Sequence, residues 1–186
     1  MTEAPRSTYV LIDGENIDAT LGTSILGRRP RPEERPRWER LLQFARERWD
    51  QPAQGLFFLA ANSELPMTFV QALLAIGYRP IPLSGGPGEK VVDIAIQRTL
   101  VELRRREADV MLVSNDGDFV EQVGDLLDGR RVGVLGFVEF RNSAFVPLVE
   151  RGLESFDLEY DVQAFNERLP RVRIIPIAEF DPAQFL

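Results

Sequence analysis

The sequence predicts a doubly wound α/β fold, a three-layer sandwich around a mostly parallel five-stranded sheet. Three observations predict it. Five short apolar or β-branched runs recur, each followed by sequence of helical period. Two of them, residues 9–12 (YVLI) and 110–113 (VMLV), are apolar at every position, as in strands buried on both faces of a parallel sheet. Strands that alternate with helices build parallel sheets through crossover connections.

The first strand is TYVLID, residues 8–13, and the helix after it starts in GENID. Residues 27–36, GRRPRPEERP, have no periodicity and read as an exposed loop. A helix over 35–49 places Trp38, Leu41, Leu42, Ala45 and Trp49 on one stripe. GLFFLAA, 55–61, is the second strand. A helix over 66–76 follows, with Phe69, Val70, Leu73 and Leu74 inward and Gly77 as its C-cap. YRPIPL, 78–83, is the third strand, and its two prolines predict an edge position. A helix over 90–106 leads to the fourth strand, 109–114, and a helix over 118–127 to the fifth, 130–137. Residues 142–156 suggest a short final helix closing the sheet. Residues 1–160 then form one domain. Residues 161–186 form a C-terminal extension whose apolar run RIIPIAEF, interrupted by Pro176, packs on the domain or at a homodimer interface.

Composition narrows the chemistry. The chain has no cysteine and no histidine. Disulfides, thiolate nucleophiles, zinc sites built on Cys or His and Ser-His-Asp triads are excluded. Carboxylates, lysine, hydroxyls and bound metal ions remain. No apolar run approaches the ~20 residues of a membrane span, no signal-peptide pattern opens the chain, and a cytoplasmic protein is expected. The formal net charge is −7. Any nucleic-acid contact must therefore be local, since proteins that coat nucleic acid are usually basic.

Three motifs bring carboxylates together. Asp13 ends the first strand in IDGENID, and in an open parallel sheet ligands bind beyond the carboxyl ends of the strands. Asp116 and Asp118 follow the fourth strand in SNDGDF, across the same crevice from Asp13. Asp93 lies in the first turn of the helix in EKVVDIAIQ, where Lys90, Asp93 and Gln97 share one face. Each aspartate also suits a bland role, as a helix cap or a favourable dipole charge. Together they form a cluster whose like charges disfavour joint ionisation unless a cation joins them. An oxygen-only donor set selects a hard ion such as Mg²⁺ or Mn²⁺, and the reaction it supports is attack of water on a phosphodiester.

In this order and spacing, YVLIDGENID, KVVDIAI and DVMLVSNDGDF resemble the NYN branch of the PIN-like nucleases over roughly residues 8–156. The resemblance implies a PIN-like fold, metal-site roles for Asp13, Asp93, Asp116 and Asp118, and a metal-dependent endoribonuclease acting on single-stranded regions of RNA. It also implies that Asn16 orients the first carboxylate and that Ser114 supports the end of the fourth strand. Asn115 departs from the glycine common at that place.

Two weaker signals flank the site. LSGGPGEK, 83–90, lacks the Gly-Lys-Ser/Thr ending of a Walker loop and reads as a flexible rim from which Lys90 can contact a phosphate or simply face solvent. The arginines of 28–40 surround Trp38, as in a single-strand groove, although Trp38 also fits the core stripe. The alternative to the nuclease is a non-catalytic RNA-binding or regulatory module of the same fold.

Overall fold

A computed structural model describes residues 6–62 and 64–186. Six strands lie in one sheet: β1 (Ser7–Asp13), β2 (Ala53–Ala60), β3 (Tyr78–Leu83), β4 (Ala108–Val113), β5 (Val132–Gly136) and β6 (Glu154–Asp157). Their order is β3-β2-β1-β4-β5-β6 and every pairing is parallel. Helices α1 (Gly14–Ala19), α2 (Trp38–Trp49), α3 (Met67–Ala75), α4 (Val91–Leu103), α5 (Val120–Asp125) and α6 (Val146–Glu150) cross between them. The fold class is as the sequence predicts, with one strand more. The segment expected to be helical through Phe156 is helical only to Glu150 and then turns into β6.

Alternation along each strand separates two cores. Val10, Ile12, Met111, Val113 and Leu135 face α2, with Trp38, Leu41 and Trp49. Leu11, Val110, Leu112, Val132 and Val134 face α4 and α5, with Val92, Ile96, Leu100 and Val123. Trp38 is a core residue, edge-on to Phe57 at 5.2 Å.

The third strand does take an edge. Ala61 N–H donates to Leu83 O at 2.7 Å, so Leu83 directs its backbone groups toward β2. Backbone groups alternate sides along a strand, which turns Pro80 and Pro82 to the open edge, where a missing N–H denies a pairing site to other strands.

One strand of the sheet leaves no room for a side chain at Gly55. A Cβ there would lie 2.4 Å from the Tyr78 ring, and that ring is fixed by its hydroxyl, which donates to Trp38 O at 2.7 Å. Gly55→Ala should cost about 1–3 kcal/mol by overpacking, read as a lower denaturation midpoint at unchanged slope.

The chain beyond β6 closes over the first core. Val162, Ala164 and Leu169 are buried in it, and Arg40 donates to the Gln163 and Phe165 carbonyls. Arg171 is buried against Asp157, Glu139 and Glu159. Past it, Val172, Ile174 and Ile177 stand in solvent.

Candidate metal centre

The chain runs outward to one edge of the sheet from β1 through β3, then returns to the other side at β4. The reversal leaves a crevice between the carboxyl ends of β1 and β4. Ile12 pairs with Val113, so Asp13 and Ser114 come next at that edge.

Asp13 is 2% exposed. Its Oδ2 accepts the Ser114 hydroxyl at 2.8 Å, and Ser114 Oγ in turn accepts the Asp116 N–H at 3.1 Å. One hydroxyl thereby couples the ends of both strands. Asn16 meets Asp13 through its backbone N–H, at 3.5 Å from Oδ1. Its side chain goes elsewhere: Asn16 Oδ1 accepts the Asn115 N–H at 2.8 Å, tying α1 to the turn after β4.

Asp93, Asp116 and Asp118 each present a carboxylate oxygen within 4.8 Å of the others. Asp93 comes from the first turn of α4. Asp116 Oδ1 accepts the Asp118 N–H at 3.0 Å and caps the 3-10 turn Gly117–Phe119, so Asp116 both caps and joins the cluster. Gln97, two turns along α4 from Lys90, donates to the Asp118 carbonyl at 2.9 Å and pins that turn to the helix. Lys90 Nζ lies 3.8 Å from Asp93 and 3.6 Å from Asp118. Of the four aspartates singled out in the sequence, the structure clusters these three, while Asp13 sits outside the set and is held by Ser114 and Asn16.

Charge and burial shape the carboxylates. Burial, reinforced by Asp93 and Asp116 against the Ser114 hydrogen bond, pushes Asp13 up to about 6. Partial burial and then Asp116, Asp118 and Glu15 raise Asp93, with Lys90 opposing. For Asp13 the folded value exceeds the unfolded one of about 3.9, so ionisation destabilises the fold as pH rises from about 4 to 6. Asp13→Asn should remove a penalty of about 2–3 kcal/mol above pH 7 in metal-free protein. Chemical denaturation against pH should show the two proteins converging near pH 4.

Sequence reasoning missed how much rests on Asn115. This buried side chain accepts the Phe137 N–H at 2.9 Å and donates to Thr20 Oγ1 at 3.3 Å, while its carbonyl accepts the Asn142 N–H at 3.0 Å. It joins β4 to β5, α1 and the segment before α6. Gly136 makes room, since a Cβ there would fall 2.2 Å from Asn115 Oδ1. Glu15, inside IDGENID, adds its charge to those that act on Asp93.

The arginine-rich loop is largely engaged with its own chain. Arg28 pairs with Glu34, Arg35 with Asp18 at 2.6 Å, and Arg40 with the segment after β6. Among the described residues, no helix is long and apolar enough to cross a membrane.

No curated protein matches the chain. A solved structure from Vibrio parahaemolyticus RIMD 2210633, described as a protein of unknown function, is similar in fold. Its TM-score is 0.66 at 17% identity, over 87% of this chain and 98% of the other. The family model for the NYN domain matches residues 7–151. That span covers the helix and the turn that carry the three clustered carboxylates, and the chain belongs to the NYN domain family, a PIN-like nuclease family.

Proposed function

We propose that this protein is a metal-dependent endoribonuclease that hydrolyses phosphodiester bonds in single-stranded RNA. The observation that carries the reading is the convergence of Asp93, Asp116 and Asp118 oxygens within 4.8 Å at the switch point of the sheet.

The donor set fits a hard divalent ion. All three groups are carboxylates, two of them half-buried, and the nearby cation is the weakly held ammonium of Lys90. Mg²⁺ or Mn²⁺ held by these residues supplies Lewis acidity at a phosphoryl oxygen and a lower pKa for attacking water. The chain supplies the rest. Asp93 and Asp118 approach from separate elements whose spacing Gln97 fixes. Ser114 and Asn115 hold the turn that presents Asp116. Asp13, buried behind the cluster, adds negative charge that favours a cation there. Lys90 stands at the mouth, where a phosphate of the RNA can meet it.

The test is incubation of an end-labelled single-stranded RNA with the protein in Mg²⁺ or Mn²⁺, with chelator as control. Internal cleavage that requires the ion and is lost in Asp116→Asn is expected. RNA binding with no cleavage in either ion would replace the enzyme with a binding module.

A further inference from the structure

Of the chain's 22 lysines and arginines, Lys90 is the one lysine. Every other cationic side chain is a guanidinium, including those that close the core and the surface pairs. The single ammonium falls on the carboxylate cluster, 3.8 Å from Asp93 and 3.6 Å from Asp118. Among the described residues it is the cation paired with that cluster. The two kinds of cation differ physically. Arginine offers a rigid fork that grips carboxylates with two hydrogen bonds, whereas lysine is a compact, strongly hydrated charge on a flexible stem.

The scaffold holds this arrangement in place. Lys90 precedes α4, and its carbonyl accepts the Ile94 N–H at 3.1 Å, so its backbone is anchored. Asp93 and Gln97 follow on the same face, and Gln97 ties α4 to the Asp118 turn. Lys90 therefore hangs over the gap between Asp93 and Asp118. Its side chain is 72% exposed and accepts no fixed geometry beyond these two long contacts. An ammonium so held offsets the repulsion among the carboxylates while leaving readily.

We infer that Lys90 is the resident counter-ion of the site: it competes with the divalent ion for Asp93 and Asp118, and moves to a phosphate of the nucleic acid when the ion enters. The inference rests on the metal-site reading above. It makes ion and polyanion binding cooperative. A phosphodiester that draws Lys90 away frees two carboxylates for the ion, and the ion that displaces Lys90 frees an ammonium for the phosphate. Arginine at this position would grip the carboxylates and oppose the exchange.

The test is calorimetric titration of Mn²⁺ into wild type, Lys90→Gln and Lys90→Arg, each alone and with a phosphorothioate 2′-O-methyl oligonucleotide. The exposed position leaves folding intact, checked by cooperative thermal unfolding in chelator with a midpoint within about 4 °C of wild type. Lys90→Gln is expected to bind Mn²⁺ about threefold to tenfold more tightly, as loss of one nearby positive charge in a solvated site predicts. Lys90→Arg should bind it more weakly than wild type. The oligonucleotide should tighten Mn²⁺ binding several-fold in wild type and have no such effect in Lys90→Gln. Equal Mn²⁺ affinities in wild type and Lys90→Gln, or identical oligonucleotide coupling in both, would overturn the counter-ion role while leaving the metal site standing. Absence of Mn²⁺ binding in all three proteins would remove the metal site and this inference together.

Discussion

Arg171→Met should destabilise the protein by about 3–5 kcal/mol at neutral pH, the range for breaking a buried ion pair from one side. The guanidinium is 2% exposed and serves three carboxylates that are themselves nearly buried. Nη1 donates to Asp157 Oδ1 at 2.7 Å and to Glu159 at 3.2 Å, and Nε donates to Glu139 at 2.5 Å. The Phe137 and Tyr160 rings flank it at 5.3 and 4.7 Å. Methionine preserves the bulk and leaves the carboxylates without their cation. The loss should depend on pH in a definite direction. Burial pushes Asp157 up, but the bonds from Arg171 and from backbone N–H groups prevail and hold it below the usual carboxylate range. A carboxylate with a depressed pKa stabilises the fold above its unfolded value and loses that contribution as pH falls through the folded one. The gap between wild type and Arg171→Met should therefore narrow on acidification, as the orphaned carboxylates protonate. Adding Glu139→Gln to Arg171→Met should recover part of the loss, because it removes one buried charge. Urea denaturation at pH 7 and pH 4.5 measures all of this. A loss below about 1 kcal/mol at pH 7 would mean that the cluster is solvated.

This cluster shows where the sequence stops being legible. Arg171 reaches partners 12, 14 and 32 residues away, and nothing in local periodicity announces such pairs. β6 was hidden for a different reason. Its four residues, ESFD, are short and hold no β-branched residue, and it forms only by pairing with β5. By contrast, β1 and β4 could be identified because burial on both faces demands an uninterrupted apolar run. Their register then follows from topology, and so do the positions of Asp13 and Asp116 at neighbouring ends. The face shared by Lys90, Asp93 and Gln97 was visible as helical spacing, but the partner of Gln97, the Asp118 carbonyl, was not. Asn16 marks the same limit. Its place in the motif was evident, whereas the choice of its side chain for the Asn115 N–H over Asp13 depends on where two turns meet.

Asp116→Asn should lower the rate of RNA cleavage by about 100- to 1,000-fold, or about 3–4 kcal/mol of transition-state stabilisation. The substitution isolates charge from shape. The Asn carbonyl oxygen can still accept the Asp118 N–H, so the cap on the 3-10 turn survives, and the Ser114 hydroxyl still receives the residue 116 N–H. What disappears is one negative charge of the three carboxylates within 4.8 Å. Metal-free stability should accordingly be unchanged or slightly higher, since one source of repulsion on Asp93 is gone. A residue that only capped its turn would give the opposite pattern, with lost stability and preserved ion affinity. Asp93→Asn should resemble Asp116→Asn, because the Asp93 carboxylate, on the facing helix, is better shielded than that of Asp118. Asp118→Asn should cost less, since its carboxylate is exposed and the turn is held through its backbone carbonyl and Gln97. Single-turnover cleavage, Mn²⁺ titration and thermal denaturation on the three variants separate the roles. Cleavage by Asp116→Asn within threefold of wild type would place the chemistry elsewhere than this cluster. A large loss of cleavage with an intact fold and weakened Mn²⁺ binding would identify Asp116 as a ligand, because only the removal of charge distinguishes the variant from the parent.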